Sequence, residues 1–244
     1  MRCHNFPNHQ TRLLASILLF APLVGSGPTL HAQSLTAEQQ PKPVYQEPRH
    51  HLVFQNSVVR VLDVQIPARD TTAFHVHANP LVGVALEVAL SWAQVLGSPP
   101  DSIEAAGPVP SLFDNWNRML PYTHRVANVD SIPIHYFVAE WLASPGIQAE
   151  LLPEDGMRHL VKEGRIARVY CVIIPAHTAT TIHEHSAPGL TVLASAGVLV
   201  DEGAQSAAVG GNGAGQWSWR PSGHRHVLRN PGDTPLTVFE IDWR

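Results

Sequence analysis

The sequence predicts an all-β protein made of two tandem copies of one small barrel. Two observations lead to this prediction: the chain repeats itself over most of its length, and its apolar residues fall into short runs rich in Val and Ile. Turns that contain Pro and Gly separate these runs, which is typical of sandwiches and barrels. The 244 residues are enough for two small domains of this kind.

The repeat is visible when the two halves are compared directly. The tripeptide His-Leu-Val at residues 51–53 recurs at residues 159–161, an offset of 108, and a second block containing Trp141 and Trp243 repeats at an offset of 102. The repeated histidines are His75, His77 and His124 in the first half and His183, His185 and His226 in the second. The smaller offset predicts a longer connection in the first copy, at the Pro-rich stretch 97–110. The repetition of the tryptophan favours packing between the barrels.

The repeat divides the chain into five segments. Residues 1–32 are predicted to be a signal peptide, and residues 33–48 a flexible lead-in, because they are polar and contain Pro. We expect the N-terminal barrel at residues 49–142 and the C-terminal barrel at residues 159–244. A linker at residues 143–158 joins them.

The first segment has the pattern of a secretory signal. Arg2 and Arg12 precede a short apolar run at residues 13–24, and small residues follow it. The run is short for a bilayer span and contains Pro22, although an uncleaved membrane anchor is the alternative. We expect a periplasmic or secreted protein with no membrane contact after signal removal.

The charge balance argues against a nucleic-acid partner. Lys and Arg total 16 against 20 Asp and Glu, a formal net charge of −4, whereas nucleic-acid binding depends on a basic surface. A small-molecule substrate or ligand is the expected partner. A homodimer is a further expectation, since the barrels could pack together in one chain or pair between two chains.

The histidines of the second copy have the spacing of metal ligands. Alternate residues of a strand share a face, so His183 and His185 project together while Glu184 points away. His226 follows the turn at residues 221–223, and a neighbouring strand can present it as a third ligand. Three neutral imidazoles with open positions suit a catalytic metal ion rather than a closed structural site. We therefore expect a divalent metal ion here.

The first copy offers His75, His77 and His124 as equivalent ligands. It lacks the Pro-x-Gly turn before the third histidine, because Met119-Leu120-Pro121 stands there. Two interpretations are open. The triad is either a second metal site or part of a relic barrel, with its histidines hydrogen-bonded at a solvated mouth.

Four other side chains of the second copy lie close to His226 in the sequence and are candidates for a role at the site. His224 is a candidate for catalysis, by orienting a substrate or moving a proton, and an exposed turn histidine fits the pattern equally well. Arg220 could pair with an anionic substrate or be a solvated surface residue. Trp217 and Trp219 share a strand face, which favours packing over a ligand-binding wall.

The motifs of the second copy resemble those of the cupin family. Residues 215–230 read Gly-x5-Pro-x-Gly-x2-His-x3-Asn and resemble the second cupin motif, while residues 183–185 resemble the His-x-His core of the first. The resemblance extends to both copies and identifies the chain as a bicupin. It implies two small antiparallel barrels, of the jelly-roll or double-stranded β-helix type, each with a metal site in its mouth.

One ligand of the cupin pattern is missing. Cupins usually supply a Glu three or four residues after the second motif-one histidine, where this chain has Gly189 and Leu190, or Leu81 and Val82 in the first copy. The sequence therefore predicts a three-histidine site without a carboxylate. Such a metal ion keeps its full charge and more open positions, which favours an anionic oxygen ligand beside O₂ or water.

The resemblance favours a metal-dependent oxidoreductase. Cupins with three-histidine iron sites include thiol dioxygenases and diketone-cleaving dioxygenases. A dioxygenase-like enzyme that acts on a small oxygen-rich molecule, with its metal ion on His183, His185 and His226, is therefore the first hypothesis. Iron is the preferred metal, with Mn or Zn as alternatives. The second hypothesis is a non-catalytic envelope protein that binds a metal or a small molecule, because the fold alone does not decide function.

Overall fold

The computed structural model describes residues 4–5, 40–203 and 213–244, and within these residues it is all-β apart from one short 3-10 helix, Val44–Gln46. The rest of the predicted signal peptide lies outside the described residues. The described part of the chain also contains no helix of the length and apolarity that a bilayer crossing requires.

The strands form two barrels, and the first has two additional short strands at its start, one of them within the predicted signal peptide. Those before the connection are β1 (His4–Asn5), β2 (Lys42–Pro43), β3 (His50–Gln55), β4 (Val59–Ile66), β5 (His75–His77), β6 (Leu81–Glu87), β7 (Ser91–Val95), β8 (Ser111–Asp114), β9 (Tyr122–Asn128) and β10 (Ile134–Trp141). Those after it are β11 (Arg158–Glu163), β12 (Ala167–Ile174), β13 (His183–His185), β14 (Gly189–Leu193), β15 (Val200–Glu202), β16 (Trp217–Arg220), β17 (His224–Arg229) and β18 (Leu236–Trp243).

Each barrel consists of a larger and a smaller sheet. In the N-terminal barrel the orders are β1-β8-β6-β10-β4-β3 and β2-β5-β9-β7, and in the C-terminal barrel they are β11-β12-β18-β14-β16 and β13-β17-β15. The pairing is antiparallel except for β1 with β8 and β2 with β5. The predicted duplication and the all-β architecture are confirmed.

The two barrels share one apolar core. Strand alternation turns one face of β4, β10, β12 and β18 toward its own barrel and the other face toward the neighbouring barrel. Residues from both halves therefore meet in a single cluster, for example Val61 and Phe137 with Val169 and Ile241. Trp243 is completely buried in this cluster, so the expected packing between barrels is present.

Residues 40–48 of the predicted flexible lead-in have defined contacts, whereas residues 33–39 lie outside the described residues. Val44 is 1% exposed and packs in the core of the N-terminal barrel. The Glu47 carboxylate accepts hydrogen bonds from the backbone N–H of Arg49 and Ala73, at 2.8 and 3.0 Å. One apolar side chain and one buried carboxylate fix a segment whose composition is otherwise polar.

The extra length of the first copy lies partly beside its histidines. Residues 115–121 connect β8 to β9, whereas only residues 221–223 connect β16 to β17. The Pro-rich stretch that the sequence singled out precedes β8. The longer β8–β9 turn places additional side chains near one end of the N-terminal barrel.

Candidate metal centres

Strand pairing assembles the predicted histidines into two triads. In the C-terminal barrel β13 pairs with β17 so that His183 lies opposite His226, and in the N-terminal barrel β5 pairs with β9 so that His75 lies opposite His124. Within each triad the candidate ligand atoms lie within 4.8 Å of one another. The N-terminal triad is His75, His77 and His124, and the C-terminal triad is His183, His185 and His226. Glu184 is exposed and points away from the site, as expected.

Hydrogen bonds orient the rings of the C-terminal triad. The Nδ1–H of each ring donates to a fixed oxygen: His183 to the Thr181 carbonyl at 3.0 Å, His185 to Asp242 at 2.8 Å and His226 to Asp201 at 2.8 Å. With Nδ1 donating outward, Nε2 of each ring faces the centre, where it can bind a metal ion once its own proton has left. Metal-binding histidines in proteins are held in this way.

A carboxylate also reaches the C-terminal triad, contrary to the expectation of a carboxylate-free site. Oε1 of Glu240 lies 3.3, 3.2 and 3.1 Å from Nε2 of His183, His185 and His226. Glu240 comes from β18 and not from the segment after the first motif, so a search at the family's usual position misses it. Two carboxylates, Glu240 and Asp242, interrupt an otherwise apolar buried strand, and this was the available signal.

The charges around Glu240 favour its ionised form. Burial alone would raise the pKa of Glu240, but the charge of His185 and hydrogen bonds from the three histidines hold that pKa well below its usual range. The pKa of Asp242 is also lowered, because the Arg220 guanidinium and His185 outweigh its burial. The pKa of His226 is raised, because Asp201 and Glu240 outweigh its burial. These directions apply to rings that carry a proton on Nε2, and a bound metal ion would take the place of those protons.

The N-terminal triad has the same strand geometry without the carboxylate. Val138 occupies the position of Glu240, because both lie on the last strand at the same register. Nε2 of His77 and Nε2 of His124 are 3.1 Å apart. His75 donates from Nδ1 to the Ala73 carbonyl at 2.9 Å, which leaves its Nε2 buried and without a partner among the described residues.

A metal ion fits these orphaned nitrogens. Burial, with His50 alongside, lowers the pKa of His75 to about 4, and burial holds the pKa of His77 and His124 well below the usual value. The three rings are therefore neutral near pH 7, the form that binds metals. His75 is 1% exposed and His77 5% exposed, whereas His124 is half-buried, so two of the three rings are shielded from solvent.

A cavity of about 210 Å³ opens onto the N-terminal triad. Its apolar wall consists of Val64, Ile66, Leu81, Phe113, Val126, Tyr136 and Val138. Arg118, from the long β8–β9 turn, lies over the Tyr122 ring at 4.9 Å, and among the described residues it has no carboxylate partner. Burial raises the pKa of Tyr122, so its hydroxyl keeps its proton. The cavity thus combines apolar walls, a phenol and an unpaired cation.

Comparison with known proteins identifies the fold. No family model and no curated protein matches the sequence. Among solved structures, AerE from Microcystis aeruginosa is similar with a TM-score of 0.59, 17% identity, and coverage of 84% of this chain and 97% of that one. Oxalate decarboxylase from Lactobacillus farciminis follows with a TM-score of 0.52, 9% identity, and coverage of 77% of each chain. The chain has the bicupin fold. Salicylate 1,2-dioxygenase from Pseudaminobacter salicylatoxidans is also similar, with a TM-score of 0.52, 12% identity, and coverage of 76% and 71%.

His224 lies inside the C-terminal barrel of this bicupin. It is 9% exposed, which excludes an exposed turn histidine, and strand alternation puts it on the same face as His226. Burial and the charge of His226 lower the pKa of His224, and its Nε2 is buried without a partner among the described residues. With Asp201 and His226 it forms a third group of candidate ligands.

The other residues near the turn have structural contacts in the bicupin. Arg220 is fully buried and donates to Asp242 at 2.9 Å, so it is not available to an anionic substrate. Trp217 and Trp219 face the other barrel, where their ring centroids lie 5.5 and 5.7 Å from that of Phe54. The interpretation as packing residues fits both tryptophans.

Proposed function

We propose that this protein is an exported, metal-dependent oxidoreductase of the dioxygenase type, and that its reaction centre is the N-terminal triad. The observation that carries the proposal is the cavity, which opens onto three neutral histidines with Val138 where the other barrel has a carboxylate. A divalent metal ion bound there would supply coordination sites for an anionic oxygen donor and for O₂. Iron is the preferred metal of the proposal, with manganese and zinc as alternatives.

The residues of the cavity suit a small, oxygen-rich anion with an apolar part. Arg118 offers an unpaired guanidinium at the cavity, and Tyr122 offers a protonated hydroxyl. Phe113 and Tyr136 line the cavity with aromatic rings that can contact the apolar part of such a molecule. Two structural neighbours are named for oxalate and salicylate, both small and oxygen-rich, which agrees with this choice of substrate class.

A non-catalytic metal-binding or ligand-binding protein is the second candidate. The observation in its favour is that the carboxylate and the fourth histidine at the cavity are engaged with partners: Asp114 forms an ion pair with Lys162, and Nδ1 of His50 lies 2.7 Å from Glu47. No free general base is therefore present among them. The reaction of O₂ at a metal ion does not require a general base, so the metal-dependent oxidoreductase remains the first candidate.

The test begins with the protein recovered after export, which should lack residues 1–32 by mass spectrometry. Metal content is measured first, and oxygen uptake is then followed with a panel of small diketones, thiols and phenolics. His124→Ala should abolish uptake, and Arg118→Ala should raise KM by about 10-fold or more, as loss of a charge-assisted contact does. Arg225→Ala, at an exposed residue of the other barrel, is the matched control for Arg118.

Two results would contradict the proposal. Uptake that is unchanged in His124→Ala would place the chemistry elsewhere. Stoichiometric metal and measurable ligand binding, without turnover of any panel member, would favour the binding protein.

A further inference from the structure

The two triads differ in what surrounds their Nε2 atoms. The N-terminal triad faces a cavity, whereas the C-terminal triad faces the carboxylate of Glu240. We propose that Glu240 is a fourth metal ligand and that the C-terminal centre is a closed, four-coordinate site whose ion stabilises the fold and takes no substrate. This inference concerns the other barrel and does not depend on the proposed reaction.

The distances between the four donor atoms carry the proposal. Nε2 of His185 and Nε2 of His226 are 3.2 Å apart, and Oε1 of Glu240 is between 3.1 and 3.3 Å from all three histidine nitrogens. Atoms at the corners of a tetrahedron with such edges lie about 2.0 Å from its centre, which is the length of a bond from zinc to nitrogen or oxygen. Four of the six distances between the donor atoms therefore match a tetrahedral ion, and the remaining two, from His183 to the other histidines, are within 4.8 Å.

The carboxylate is fixed in this position. Its second oxygen, Oε2, accepts a hydrogen bond from Nε of Arg158 at 3.1 Å, and the side chains of both residues are buried. Turning Glu240 away would leave the buried guanidinium of Arg158 with Asp155 as its carboxylate partner, at 3.4 Å, and the loss of a fully buried partner is costly in a protein interior. Glu240 therefore stays at the site and does not give way to a substrate.

The surroundings of the triad are those of a structural site. Four protein ligands fill a tetrahedral ion, whereas catalytic sites keep one position open. The side chains of His185, His226 and Glu240 are completely buried, and that of His183 is 5% exposed. The charge of an ion here is balanced by Glu240 and by the two carboxylates that hold the outer nitrogens of the rings, Asp201 and Asp242.

The test isolates the C-terminal centre and then alters its fourth ligand. In a parent protein with the N-terminal triad removed by His75→Ala and His124→Ala, we expect one equivalent of zinc that resists a chelator. Cobalt in its place should give the intense visible absorption of tetrahedral coordination, and zinc should raise the melting temperature. Glu240→Gln should lower zinc affinity by more than about 100-fold, since the loss of an outer contact alone costs about 10–100-fold.

Controls separate the ligand role from a folding defect. Glu184 lies between the ligands His183 and His185, but on the exposed side of the strand. The Glu184→Gln variant makes the same chemical change there and should keep the zinc affinity and the cobalt spectrum of the parent protein. Glu240→Gln should keep the circular dichroism spectrum of the metal-free parent. A Glu240→Gln protein with unchanged affinity and tetrahedral cobalt absorption would overturn the assignment. A parent that takes up no zinc would show a hydrogen-bonded cluster only, which also overturns it.

Discussion

Asp242 serves two buried partners in the C-terminal barrel. Its Oδ1 accepts from Nδ1 of His185 at 2.8 Å and from Arg220 at 2.9 Å. We expect Asp242→Asn to weaken metal binding at the C-terminal triad by about 10–100-fold, because the amide no longer fixes the ring tautomer. Chelator competition measures the affinity. Asp233→Asn, at an exposed residue that contacts His177, is the control, and equal affinities in the two variants would contradict the role given to Asp242.

The sequence predicted which histidines lie together in each barrel, but it did not predict that Glu240 lies beside them. The positions of His183 and His185 follow from strand alternation, which operates within one strand. The contact between Glu240 and His185 joins residues 55 positions apart and depends on how the two sheets of a barrel close. The pattern of residues within one strand carries no information on how the two sheets close. The only sign of this contact in the sequence was the presence of two acidic residues in an otherwise apolar strand.

The segment before β3 is an element whose order depends on one carboxylate. Hydrogen bonds from His50 and from the backbone of Ala73 and Arg49 lower the pKa of Glu47 and outweigh the effect of its burial. Because the folded pKa lies below the unfolded one, the ionised carboxylate stabilises the fold above the usual pKa of 4.5, and this contribution is lost as the pH falls through the folded value.

Glu47→Gln should therefore lower the free energy of unfolding near pH 7 by about 1–3 kcal/mol. The difference from the unsubstituted protein should narrow at acidic pH, below the usual range of a Glu carboxyl. Urea unfolding at several pH values measures it, with the exposed Glu150→Gln as the control. A difference that stays constant across the pH range would mean that the ionisation of Glu47 does not matter.

The connections between strands were the hardest elements to predict. The repeat offsets indicated that the first copy is longer, and Pro-rich composition suggested residues 97–110. Part of the length instead forms the β8–β9 turn that carries Arg118. Composition identifies a loop, but it does not show which loop borders a cavity, because that depends on the packing of the barrel.

At the scale of the whole molecule, the shared core couples the barrels. Trp243 is fully buried among residues of both halves. Trp243→Ala should lower the free energy of unfolding by about 3–5 kcal/mol, as large cavities in a core do. Denaturant unfolding of the unsubstituted protein should show a single transition, with the same midpoint by fluorescence and by circular dichroism. Two separated transitions in the unsubstituted protein would show that the barrels unfold independently.

The shared core also bears on how such a chain can change over time. A single half, expressed alone, would expose the apolar outer face of its large sheet. It would then dimerise with another half or aggregate. In this chain the neighbouring barrel already covers those faces, as a second subunit would do in an assembly of single barrels. A half that lost its own activity would still be needed, because it keeps the apolar face of the other half away from water. The two halves are therefore inherited as one unit.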